Sequence, residues 1–201
     1  YQVKMNDIIP DKVERVAKIA AKRNNLHLLR VKKTKEMMRY APDVFHLIND
    51  AYSHLYGFVP MTQRQVDHFV KQYFSFIRPG YVPIVLDEHD KLAAFGITMP
   101  SLSKALQKGN GRLFPFGFLH LMRAMKNNPH ADLYLTAVRP DLQNKGVNAM
   151  LIYEINKVYN QLGVEYVETN RELESNNKIQ SQWRFYDARQ HKRRRVYKKL
   201  V

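Results

Sequence analysis

The chain has no cysteine, which removes disulfide stapling, thiolate chemistry and Cys-based zinc sites from consideration. The same absence fits a reducing compartment, and a cytoplasmic location is expected. Long apolar runs are missing as well. No segment reaches the roughly 18 uninterrupted apolar residues that a membrane span needs, so no span is expected. No stretch near Tyr1 is organised as a secretory signal. Acidic residues are scarce beside basic ones: 18 Asp and Glu face 33 Lys and Arg, for a formal charge of +15. That balance favours polyanionic partners in general, among them nucleic acid, anionic lipid and phosphorylated cofactors. Much of the excess is local, in residues 30–35 and above all 191–199. The second run reads equally well as an edge strand guarded by cations. No nucleic-acid-binding signature accompanies it, so nucleic acid is not an expected partner.

What is present is the composition of a globular protein, 45% hydrophobic and 25% charged over 201 residues, enough for one sizeable core. Because the chain opens on Tyr1 rather than Met, it is expected to be part of a longer polypeptide or to lack a disordered start. Pro10 suits the first turn of a helix whose Val13, Val16, Ala17, Ala20 and Ala21 recur at helical spacing until Asn24 and Asn25. Residues 1–25 are therefore expected as an N-terminal helical extension and 26–201 as the main domain. Within the latter, 26–31 reads as a strand, and a helical region starts near Thr34 and is interrupted by Pro42. Val44, Leu47, Ile48, Ala51, Tyr52 and Leu55 form one apolar stripe, and Thr62 is a plausible N-cap for a further helix. Two strands, 82–86 and 92–99, are joined through residues 87–90. Residues 132–138 form a strand, 147–162 a long amphipathic helix stopped by Gly163, and 164–169 another strand. Asn176 or Asn177 caps a helix running to about Ala188, and 193–200 alternates as a final strand.

The most telling stretch is the passage from strand 132–138 through Val138-Arg139-Pro140-Asp141-Leu142-Gln143-Asn144-Lys145-Gly146-Val147-Asn148 into the long helix. A strand, a glycine-bearing turn and a helix N-terminus together make an anion site, because the first-turn N–H groups lack internal partners and sit at the positive end of the helix dipole. The spacing Gln143-x-x-Gly146 behind Val138-x-Pro140 resembles motif A of the GNAT superfamily, the acyl-CoA-dependent N-acyltransferases, with Asn148 standing where that motif ends in a small residue. The element order β-α-α-β-β-β-α-β-α-β is also that of the superfamily. The turn 56–61 and the ending 190–195 look like those of poorly characterised bacterial proteins in which a GNAT-like domain forms the C-terminal half of a longer chain.

The resemblance implies an α/β (α+β) fold with a central mixed, twisted sheet, two splayed parallel strands and flanking helices. It implies acetyl-CoA or another acyl-CoA as cofactor, with the pantetheine arm along residues 135–138, Ala137 and Val138 included, and along 167–169. The pyrophosphate then falls at Gln143, Asn144, Lys145, Gly146, Val147 and Asn148, with Asn176 as a further cofactor-binding position, and a glutamate at Gly146 is expected to occupy the phosphate position. Counting from Asn176, the superfamily's proton-donor tyrosine register lands on Trp183, and Tyr186 lies one helical turn further. An indole N–H does not titrate usefully, so Tyr186 is the expected donor if the domain is catalytic. Glu168, its pKa raised by desolvation, is the first candidate base, with Glu172 and Glu174 behind it. His46, His54 and His68 lack the spacing of a metal pair, and no metal is expected. The expected partners are a small-molecule amine or peptide substrate and another domain of the full-length chain. A silent binding or interaction module is the first rival reading, and a nucleic-acid-associated protein driven by the basic C-terminal run is the second. The apolar stretch 113–122 has three readings: ordinary core, a channel for a long acyl chain or acceptor, or a contact with another domain.

Overall fold

The computed structural model describes residues 1–5, 9–31, 33–73 and 77–199. Its elements are β1 (Gln2–Lys4), α1 (Asp11–Arg23), β2 (His27–Leu28), α2 (Thr34–Met38), α3 (Ala41–Tyr52), α4 (Gln63–Tyr73), β3 (Ile84–Leu86), β4 (Leu92–Pro100), α5 (Ser103–Lys108), α6 (Gly117–Lys126), β5 (His130–Val138), α7 (Val147–Leu162), β6 (Tyr166–Thr169), α8 (Asn177–Gln180) and β7 (Asp187–Arg189). The strands form one sheet in the order β2-β3-β4-β5-β6-β1-β7. Its neighbours are antiparallel except for β5 and β6, which run parallel.

Period-2 alternation sorts the central strands between two helical layers. Phe95 and Ala137 face α2 and α3, packing on Met37, Tyr40, Leu47 and Ile48. Ala94 and Val138 face the other way, onto Val147, Met150 and Leu151 of α7 and onto Ala17 and Ala20 of α1. Pro42 starts α3 rather than interrupting it, since it sits in the first turn where its missing N–H costs nothing. Thr62 caps α4 through a reciprocal box: its Oγ1 accepts from the Gln65 amide and Gln65 Oε1 accepts from the Thr62 amide. Val66, one turn into α4, is buried.

Three expectations change. The N-terminal segment supplies two elements of the fold itself: β1 lies in the sheet between β6 and β7, with Val3 fully buried, and α1 packs along α7. Three residues carry no readable period, so only pairing with strands at Tyr166–Thr169 and Asp187–Arg189, far along the chain, makes β1 a strand. The last strand is at 187–189, and 193–199 has no regular structure and is exposed; the cations of that run repel one another, which opposes its alignment as a strand. The segment after Asn176 breaks after one turn into a 3-10 turn (Ser181–Phe185), which leaves Tyr186 in extended backbone rather than on a helix. Asn176 does cap, its Oδ1 accepting from the Ile179 amide.

Candidate active site

The site begins where β5 and β6 part. Their register runs only from His130 opposite Tyr166 to Leu133 opposite Thr169; beyond it the Asn170 backbone amide donates to the Leu133 carbonyl and the Asn170 side-chain amide to the Tyr134 carbonyl. On the other side of β5, Tyr134 is an extra residue inserted between the pairs Ile97–Leu135 and Thr98–Leu133. Such a bulge bends a strand and adds local twist, and here it turns the second half of β5 away from β6. The wedge opens into a cleft of about 540 Å³, running from the splayed strands to the N-terminus of α7, a size suited to a ligand of cofactor class.

The backbone of β5 supplies the cleft wall. Gly96 donates to the Pro83 carbonyl and therefore faces β3, so Thr136 opposite it faces away from β4, toward the opening. The carbonyl of Thr136 is not free: Tyr52 Oη donates to it at 2.8 Å from the end of α3. Burial pushes the Tyr52 phenol up, against the opposing pull of that hydrogen bond. In sequence Tyr52 is one more member of an apolar stripe, and only the packing of α3 on β5 brings its hydroxyl to the cleft.

At the far end, Arg139 holds the turn. Its Nη1 donates to Asp87 and its Nε to Asp141, both at 2.8 Å. Burial raises the Asp87 carboxyl, but hydrogen bonds from Arg139 and from the amides of Lys91 and His89 outweigh it and hold the group at about 2. Gln143 Nε2 donates to the Val138 carbonyl, closing the loop on its strand. Asn144 and Gly146 both take left-handed backbone, at φ of 61° and 81°, and Gly146 is the N-cap of α7. This folds the chain so that the first-turn amides of α7 meet the cleft, with Asn144, Asn148 and Ala149 in its wall. A Cβ at Gly146 would fall 3.0 Å from Val16 Cγ1 and 3.4 Å from Ala20 Cβ of α1. The glycine serves the turn and the close approach of α1, and Asn148 lines the cleft beside it.

The titratable candidates separate. Glu168 is outside the cleft wall, its carboxylate bonded to His191 Nε2 (2.7 Å) and Lys192 Nζ (3.0 Å). Burial raises it, the hydrogen bonds from Lys192 and His191 lower it, and the balance lies below its ordinary value, the reverse of the raised pKa expected from the sequence. Glu172 does line the cleft. Trp183 Nε1 donates to its Oε1 at 3.0 Å, and its Oε2 is buried with no hydrogen-bond partner. Trp183 itself is buried against Val3 and Val13, so the indole packs in the core and orients a carboxylate. Tyr186 also lines the cleft. Its hydroxyl accepts from Asn156 Nδ2 at 2.7 Å, and burial, partly opposed by that bond, pushes the phenol up to about 12. Val13, Val16 and Lys12 of α1 line the same space, with Lys12 Nζ 4.7 Å from the Phe185 ring centre; reading α1 as an appendage had hidden them. Of the histidines, His54 alone reaches the cleft wall, and no cluster of metal-ligating side chains occurs among the described residues.

A mixed sheet of this order, with a bulged strand, a parallel partner splayed from it and a helix N-terminus at the mouth, is the GNAT fold. No family model matches the chain. Over 172 residues it is 24% identical to Protein YghO of Escherichia coli (strain K12), covering 83% of this chain and 43% of YghO, so the chain spans less than half the length of that curated relative. Among solved structures, an aminoglycoside acetyltransferase, meta-AAC0020, from an uncultured soil metagenomic sample superposes with a TM-score of 0.52 in its complex with sisomicin. The identity is 14%, over 90% of this chain and 99% of that one. Its complex with trehalose gives 0.50 at 16% identity over the same shares. No helix among the described residues is long and apolar enough to cross a membrane.

Proposed function

We propose that the chain is an acyl-CoA-dependent N-acyltransferase, with acetyl-CoA or another acyl-CoA lying along β5 and an amine as acceptor. The observation that carries this reading is the continuity of one cleft from the splay of β5 and β6 to the α7 amides, with Glu172 and Tyr186 in its wall. The fit is chemical. A pantetheine arm is recognised through backbone groups, which the bulged strand exposes. A pyrophosphate is recognised by amides at a helix N-terminus, which the turns at Asn144 and Gly146 present. When bound, the cofactor supplies an activated acyl thioester.

The chain's own residues then have distinct tasks. Glu172 takes the proton that an amine must lose to become nucleophilic, its unpartnered Oε2 being the accepting atom and Trp183 holding the group in place. Tyr186, protonated throughout the neutral range, holds the proton the departing thiolate needs. Tyr52 fixes β5 through Thr136. Glu168, tied to Lys192 and His191, is left out of the chemistry. Trp183 in the tyrosine register favours one rival, a binding module without turnover. Calorimetry with acetyl-CoA tests the shared premise, because Asn148→Glu puts a like charge at the pyrophosphate and is expected to weaken binding ~10-fold or more. Unchanged affinity in that variant removes the assignment. Binding without turnover on any amine leaves the module.

A further inference from the structure

The segment between β4 and β5 stands apart from the cleft and from the rest of the core. Its helices α5 and α6 pack against each other, and its turn is built tightly. Gly117 is buried, and a Cβ there would fall 1.8 Å from the Arg112 carbonyl oxygen; one at Gly109 would fall 2.9 Å from the same atom. The Phe118 amide donates to the Leu113 carbonyl and the Arg112 amide to Gly109. At the base, Lys104 Nζ meets His130 Nε2 at 2.8 Å, and Asn128 Nδ2 donates to the Ser101 carbonyl. This fixed hairpin nevertheless presents apolar side chains to solvent: Phe114 is 76% exposed, Phe116 66% and Met122 63%, with Leu113 and Leu119 beside them. Apart from the buried Gly117, residues 113–122 are exposed or half-buried and none lies in the cleft wall, against the first two of the three readings given to them.

The charge around that surface is one-sided. From Asp90 to Asp132 the chain contains no acidic residue, while Lys104, Lys108, Arg112, Arg123 and Lys126 are all exposed on the hairpin. Apolar rings at a tip, flanked by cations and free of anions, are the chemistry of a segment that lies in a bilayer interface: rings enter the acyl boundary, and Lys and Arg reach anionic headgroups along their own apolar stems. A protein partner of the usual kind calls for no such exclusion of carboxylates. We infer that the α5–α6 hairpin is a docking surface for an anionic lipid bilayer, with Phe114 and Phe116 entering the interface and Arg112, Arg123 and Lys126 contacting phosphate headgroups. The chain attaches peripherally through this surface, independently of whether the cleft transfers an acyl group.

The test is cosedimentation of the 201-residue chain with vesicles of phosphatidylcholine alone and of phosphatidylcholine with phosphatidylglycerol. The chain is expected to pellet with the anionic vesicles and to be released as salt is raised. Phe114→Ser/Phe116→Ser removes the inserting rings, and Arg112→Glu/Lys126→Glu reverses the charge. Each is expected to lower partition ~10-fold or more while the melting temperature stays put, since the altered side chains are exposed. Failure of the wild type to bind anionic vesicles overturns the inference. So does a loss confined to Arg194→Glu/Arg195→Glu, which would place the contact in the basic tail. A dimer in gel filtration that Phe114→Ser/Phe116→Ser dissociates would assign the patch to a second copy instead.

Discussion

Two helices of this chain follow glycine-bearing turns and carry apolar residues at helical spacing, and they end in opposite circumstances. The apolar face of α7 is sealed between the sheet and α1, with Val147 and Leu151 essentially inaccessible. The apolar face of α6 and of the turn before it looks into solvent. A 3.6-residue period states that a helix has an apolar side. What covers that side is a property of neighbours distant in sequence, and at the hairpin the described chain offers none. The difference separates a part of the protein whose hydrophobicity holds the fold from a part whose hydrophobicity is available for contact.

The contrast breaks if both helices respond alike to truncation. Leu151→Ala is expected to cost about 2–5 kcal/mol in urea unfolding, from lost burial and the cavity left behind. The same measurement on Met122→Ala is expected to stay within about 0.5 kcal/mol. A comparable loss in both would mean that the hairpin face is covered in solution.

Next in size is the effect of groups at the cleft end on turnover. Tyr186→Phe keeps the ring and removes the hydroxyl that accepts from Asn156. With any amine that supports activity, turnover is expected to fall ~100-fold or more with little change in acyl-CoA affinity, and Glu172→Gln to behave similarly. Glu168→Gln is expected to leave turnover close to the wild type. Equal losses at Glu168 and Glu172 would return the base to the open face of the sheet.

The clamp beneath the loop is sharpened by pH. The Asp87 carboxyl sits at about 2 in the folded chain against an ordinary 3.8. Its contribution is therefore complete above the ordinary value and is lost as the pH falls toward 2, amounting to about 2 kcal/mol. Asp87→Asn should remove that part of the acid sensitivity, read from urea midpoints at pH 5 and pH 2.5. A wild-type acid profile in the variant would show that Arg139 does not depend on Asp87.

The smallest expected effect concerns Gly146. Replacing it with alanine forces a Cβ into left-handed backbone and against Val16, and about 1–2 kcal/mol of stability should go, in the absence of any ligand. Val16→Ala relieves the contact but not the backbone strain, so it should restore only part. Full restoration would place the whole cost in packing.

The sequence by itself determined the helix at 147–162 and its glycine stop, an asparagine cap at Asn176 or Asn177, the hairpin through residues 87–90, and the strand–turn–helix passage that frames the cleft. These features depend on neighbours within a few positions: an apolar period, a residue able to adopt positive φ, a side chain that reaches its own backbone. Tertiary structure alone decided the rest. It made a strand of Gln2–Lys4 by pairing them with β6 and β7, drew Lys12 and Val16 into the cleft wall, turned Tyr52 from a stripe residue into a hydrogen-bond donor, and paired Trp183 with Glu172 while Lys192 and His191 took Glu168. Each of these joins residues through contacts whose free energy depends on burial and on the partner's position, neither of which is encoded in local spacing.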